Sequence, residues 1–112
     1  MTEREQVILN LYKGKMTKKY GLEATFLNEA NEFISLFKNL VKIRETSATV
    51  NGVADLIMCY NGRFVAAELK KEFGVATQQQ LNFIKAVRGA GGIAGECRSL
   101  ADIWNLLSKT AQ

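Results

Sequence analysis

The chain contains no histidine. Serine–histidine and cysteine–histidine pairs, histidine general bases and histidine metal sites are therefore excluded. Any hydrolytic chemistry must rest on carboxylates, lysine and a hard metal ion. Cysteine is scarce: Cys59 and Cys97 are the two present. Both lie inside apolar strand patterns and read as buried free thiols rather than a disulfide. A four-ligand zinc site lacks the cysteine and histidine partners it needs. No apolar run approaches the ~20 residues that span a bilayer, so no membrane contact is expected. The first residues, Met1-Thr2-Glu3-Arg4-Glu5-Gln6, are charged and unlike a signal peptide, which makes the cytoplasm the expected location.

What is present fits one domain. The 112 residues leave no room for a second core, and 47% apolar with 23% charged residues is ordinary for a globular chain. The net charge of +4 tilts toward polyanionic partners without specifying one.

Thr2-x-x-Glu5 is a capping box, and Val7, Ile8, Leu11 and Tyr12 follow at helical spacing. With Lys13, Lys15, Lys18 and Lys19 behind it, this helix makes residues 1–21 an N-terminal extension and basic linker. A longer helix is predicted from Leu22 to about Leu40. Its apolar stripe holds Phe26, Ala30, Phe33, Ile34, Phe37 and Val41. Glu23 falls within the stripe, Glu29 lies on its margin, and Glu32 points away.

Alternation in Val41–Thr46 predicts a half-buried strand, and Thr49–Gly52 a turn or bulge. Strands Val53–Tyr60 and Arg63–Lys71 are near-continuously apolar and read as central. Thr77-x-x-Gln80 caps a helix with Leu81, Ile84 and Val87. Strand Ile93–Arg98 and a last helix with Leu100, Ile103, Trp104 and Leu107 complete an α/β chain with a mixed sheet of about four strands flanked by helices.

Asn61-Gly62 between the two apolar strands is a strong hairpin signal. A two-residue loop places Tyr60 opposite Arg63 and, counting outward, Asp55 opposite Glu68. Directly opposed side chains have Cβ atoms roughly 4.5–5.5 Å apart on one face of the sheet. Two carboxylates there repel unless a cation sits between them. Lys70 shares the face of Glu68. Two acids and a lysine on one patch predict a divalent-metal hydrolase site.

The spacing Asp55-x12-Glu68-x-Lys70 matches the signature of PD-(D/E)XK nucleases. Its surroundings resemble one branch, the VRR-NUC domain. They read Gly52-Val53-Ala54-Asp55-Leu56-Ile57, Gly62-Arg63-Phe64, Glu68-Leu69-Lys70 and Thr77-Gln78-Gln79-Gln80, followed by Gly91-Gly92 and Arg98-Ser99. The likeness spans about Leu22 to Leu107. Ala54 departs from it, standing where the family usually has proline.

The resemblance implies a restriction-endonuclease-like core and a Mg²⁺ or Mn²⁺ ion held by Asp55, Glu68, the Leu69 carbonyl and Glu23. Glu29 is the alternative helix carboxylate. Lys70 and Gln80 complete the implied catalytic set. The implied activity is structure-selective DNA cleavage, at branched DNA such as four-way junctions, by a homodimer of phage or prophage type in a bacterial or phage-infected cell. Lys38, Lys42, Arg44, Arg63, Lys71, Lys85 and Arg88 are candidate DNA contacts. Rival readings are a restriction- or repair-type nuclease without junction preference and a catalytically silent DNA-binding module of the same fold.

Overall fold

Capping boxes and a two-residue turn set much of the local structure. A computed structural model describes residues 1–45 and 53–111. The predicted turn at 49–52 lies outside them. Thr2 and Glu5 cap helix α1 (Glu3–Leu11) reciprocally. Helix α2 spans Glu23–Ile34 and strand β1 Leu40–Glu45. The hairpin is β2 (Leu56–Tyr60) and β3 (Arg63–Leu69). Thr77 and Gln80 form the second reciprocal box and open α3 (Gln78–Gly89). Strand β4 (Ile93–Cys97), helix α4 (Leu100–Ser108) and a 3₁₀ turn at Lys109–Ala111 follow.

The strands form one mixed sheet in the order β1-β2-β3-β4. β1–β2 and β2–β3 are antiparallel, whereas β3–β4 is parallel. Tyr60 faces Arg63, and Asn61 and Gly62 take φ of 52° and 79°. Two successive left-handed residues are what a turn compatible with strand twist requires. This is the expected α/β sheet flanked by helices.

Alternation divides the sheet into two faces. Leu56, Met58, Val65, Ala67 and Leu69 pack with Phe26, Ala30 and Phe33 of α2 and Ile103 and Leu107 of α4. On the opposite face, Ile57, Ala66 and Ala94 form a smaller core with Ile84 of α3. The N-terminal extension belongs to the larger core, where Ile8 and Tyr20 are buried. Its backbone is also tied in, since Ala101 N–H donates to the Met16 carbonyl and Glu72 N–H to the Tyr20 carbonyl. Among the described residues, no helix is long and apolar enough to cross a membrane.

Two expectations need correction. Helix α2 stops at Ile34 rather than Leu40. Leu36 and Phe37 N–H groups bond three residues back, tightening the last turn. Asn39, at φ 64°, then reverses the chain into β1. Strand β1 is not half-buried: Val41 and Ile43 are 63% and 60% exposed. β1 is an edge strand with an irregularity between Lys42 and Arg44; α2 packs against it, whereas α3 packs on β3 and β4. Val41 thus leaves the stripe assigned to α2. Of the apolar residues of α3, Leu81 is 39% exposed whereas Ile84 is buried.

Candidate functional site

The expected site residues meet at one end of the sheet, where helices from both faces reach it. Glu68, near the end of β3, is 1% exposed. Gln80 Nε2 donates to Glu68 Oε1 at 2.8 Å. The same Gln80 uses its Oε1 to accept the Thr77 N–H at 2.8 Å. Capping α3 and holding Glu68 are thus done by opposite ends of one amide. Lys70 Nζ lies 3.8 Å from Glu68 Oε1, and both side chains are buried.

Asp55 reaches the group differently from a flat ladder pair. The β2–β3 pairing ends at Leu56–Ala67, and Asp55 sits in a bend one residue before the strand. Its Oδ2 accepts the Leu69 N–H at 3.1 Å. The Asp55 carboxylate is still close enough to act on the charge of Glu68. Glu23, the first residue of α2, lines a cavity of about 10 Å³ with Leu27, Asp55 and Leu69, room for about one water. Glu29 is committed elsewhere: it accepts from the Tyr20 hydroxyl and from Lys18 Nζ.

Charge is poorly accommodated here. Glu68 Oε2 is buried with no hydrogen-bond partner. Burial first, then the charge of Asp55 and the hydrogen bond to it, push the Glu68 carboxyl up to about 8, against the pull of Lys70. Glu23 adds to the rise. A proton on Glu68 or a cation between the acids would relieve the strain.

The donor chemistry fits a hard cation, since the groups are carboxylate and main-chain oxygens with no thiolate or imidazole among them. Among the described residues, no group of three or more histidine, cysteine or acidic side chains is arranged to hold a metal. The site therefore offers a carboxylate pair, with Glu23 at its margin.

A further acid, which no sequence motif singles out, lies beside them. Glu96 of β4 pairs in register with Glu68, so parallel alternation brings it to the same face. It faces Arg98 Nη2 at 3.4 Å. Only the β3–β4 adjacency reveals this neighbour, and no local pattern encodes that.

The basic residues do not gather at one place. Lys71 directly follows Lys70 and is exposed. Arg44 Nε donates to the Ala54 carbonyl, next to Asp55. Lys38 lines a cleft with Tyr60 and Asn61 at the turn end of the hairpin, and Arg63 pairs with Tyr60 there, at the far end of the strands from the acids. Lys42 reaches Asn31 and Glu45 on the α2 side. Lys85 and Arg88 are on exposed turns of α3, where Arg88 Nε holds the Ala94 carbonyl. The two cysteines are free thiols, Cys97 buried and Cys59 half-buried. No protein-family model matches this chain, and neither the curated proteins nor the solved structures searched give a match.

Proposed function

We propose that the chain is a metal-dependent endonuclease that hydrolyses DNA phosphodiesters, a reading that accords with its resemblance to VRR-NUC domains. The observation that carries it is the buried pair of Asp55 and Glu68, one oxygen of which has no partner, with Lys70 Nζ beside it. Such an arrangement is costly in a purely structural role, because a buried polar group left without a partner costs about 1–3 kcal/mol, and more when it is charged.

Asp55, Glu68 and the Leu69 main chain would hold Mg²⁺ or Mn²⁺, with Glu23 in reach. Such an ion, when bound, lowers the pKa of water and offsets charge building on the scissile phosphate. Lys70 supplies the protein's own positive charge for that phosphate and positions the attacking water. Gln80 fixes the Glu68 rotamer, so one face of the carboxylate is held in place before substrate arrives.

Within this reading the substrate is branched DNA, such as a four-way junction, and the active form is a homodimer in the cytoplasm of a bacterial or phage-infected cell. Paired sites related by a two-fold axis suit a symmetric junction. The exposed apolar pair Val41 and Ile43 on an edge strand supports self-association.

The test is cleavage of labelled duplex, flap, splayed-arm and four-way-junction DNA with Mg²⁺, Mn²⁺ or EDTA. Wild type should cut with a metal and not in EDTA, and Asp55→Asn and Lys70→Ala should lose activity. Failure to cut any substrate, or equal cutting by the variants, rejects the reading. Binding without cleavage would favour the silent DNA-binding module. Equal cutting of all substrates would favour a nuclease with no junction preference.

A further inference from the structure

Phe73 and Val75 are the most exposed large apolar side chains among the described residues, at 87% and 82%. Single exposed apolar residues on a loose loop need no explanation. These two sit on a loop that is tied down. The connection from Lys70 to Thr77 joins the lysine of the acid site to the cap of α3. Within it, Gly74 N–H donates to the Lys71 carbonyl at 3.0 Å and Glu72 N–H to the Tyr20 carbonyl at 2.8 Å. Arg98 Nη2 donates to the Gly74 carbonyl at 2.6 Å. The loop's backbone is held by these bonds while its phenyl ring is left exposed.

Between Phe73 and the Tyr20–Gly21 segment lies a cleft of about 290 Å³, walled also by Lys71 and Glu72. The Tyr20 ring is stacked on Phe26 in the core, which anchors that wall. The cleft thus combines an aromatic face, an ammonium and a carboxylate. A nucleotide answers all three, with a flat base, a phosphate and an exocyclic amino group. A continuous duplex cannot, because its base faces are already stacked on one another. Stacking on an aromatic side chain is sequence-tolerant, since every base has a π-face.

We propose that this cleft seats an unstacked nucleobase of single-stranded or branched DNA, stacked on Phe73 with the adjoining phosphate on Lys71. This assignment rests on the nuclease reading and gives it a substrate class: DNA with an unpaired base beside the scissile phosphate. Lys71 directly follows Lys70 in the chain, which joins the cleft to the strand end that carries the acid site.

The experiment measures binding of the full chain, in EDTA to prevent cleavage, to a fluorescein-labelled single strand and to its duplex. A 2-aminopurine probe in the single strand reports stacking by quenching. Phe73→Ala should lower the ratio of single-strand to duplex affinity by about fivefold or more and abolish the quenching, while Phe73→Trp preserves both. An unchanged ratio with Phe73→Ala overturns the proposal. So does wild type that binds neither DNA, or a Phe73→Ala protein that sediments as a monomer where wild type is a dimer, which would assign the surface to a second copy. Phe73-dependent stacking by a wild type that cuts nothing would keep the seat and reject the nuclease. Cutting that is indifferent to Phe73, with an unchanged affinity ratio, rejects the seat alone.

Discussion

Gln80 bridges the N-terminus of α3 and the buried Glu68, accepting from Thr77 N–H with one end and donating to Glu68 with the other, each at 2.8 Å. The cap and the acid site are therefore mechanically one unit, and substitutions at Gln80 separate them. Gln80→Ala removes both bonds and should destabilise the protein by about 1–3 kcal/mol, the range for a lost cap with a buried polar group left unpaired. Gln80→Glu keeps an acceptor for Thr77 but faces Glu68 with another carboxylate. It should keep α3 capped while weakening the metal-free protein above neutral pH. Urea denaturation at pH 5 and pH 8 separates the two, and identical losses for both variants at both pH values would deny the bridge.

The Glu68 carboxyl, raised from 4.5 to about 8, fixes the sign of a pH dependence. Between those values the folded state holds a proton that the unfolded state has released. Stability of the metal-free protein should therefore fall as pH rises through this window, by at most about 1.4 kcal/mol per pH unit. The contribution is fully present below the unfolded value and gone above the folded one. Glu5 and Glu29 are shifted downward, so they act on the acid side of the window. Glu68→Gln should flatten the slope. Denaturation midpoints from pH 5 to pH 9 in EDTA test this, and a wild-type stability that rises across the range defeats it.

Cation binding should oppose that loss. A divalent ion competes with the proton on Glu68, so Mn²⁺ should raise the thermal midpoint more at pH 8 than at pH 6. At a free concentration 100 times the dissociation constant the gain is about 2.7 kcal/mol. Asp55→Asn, which removes one of the two central acids, should weaken the stabilisation at least tenfold in Mn²⁺ concentration. Calorimetry in Mn²⁺ and in EDTA checks this. Equal shifts in wild type and Asp55→Asn would place the ion elsewhere.

The parts of this arrangement visible in the sequence are the local ones. Thr77 and Gln80 declare a helix start by their spacing, and Asn61-Gly62 declares the hairpin that brings residues near 55 and 68 together. Long-range relations are not declared. Glu96 stands beside Glu68 only because β4 adds parallel to β3. Val41 fits the apolar stripe of a helix as well as a strand, because helical and strand periods overlap in a short apolar run. Its exposure depends on how far α3 reaches across the sheet, a tertiary property. The buried role of Glu5 was hidden likewise, since its partner Tyr60 lies 55 residues away.

Self-association through β1 is open to a direct test. Val41 and Ile43 project into water from an edge strand, and charges are the usual device by which proteins block such edges. Val41→Lys with Ile43→Lys should convert the proposed dimer to monomer in sedimentation. Because both residues are exposed, each change should alter monomer stability by no more than about 0.5 kcal/mol. A wild type that is monomeric, free and DNA-bound, removes the paired-site reading.

Tyr60 ties the N-terminal helix to the sheet. Its hydroxyl donates to Glu5, which is 7% exposed and also accepts the Thr2 N–H at 2.7 Å. Burial works against the Glu5 charge, but the hydrogen bonds from Tyr60 and Thr2 prevail and hold its carboxyl below the ordinary value. Tyr60→Phe leaves a buried carboxylate oxygen short of a donor and should cost about 1–3 kcal/mol at pH 7. A depressed carboxyl contributes stability above its unfolded value and loses it as pH falls through the folded one. The gap between wild type and Tyr60→Phe should accordingly narrow on acidification. Glu5→Gln with Tyr60→Phe should cost less than the sum of the single changes, since the orphaned charge is then absent. Strict additivity in that cycle would mean that the two residues do not act on each other.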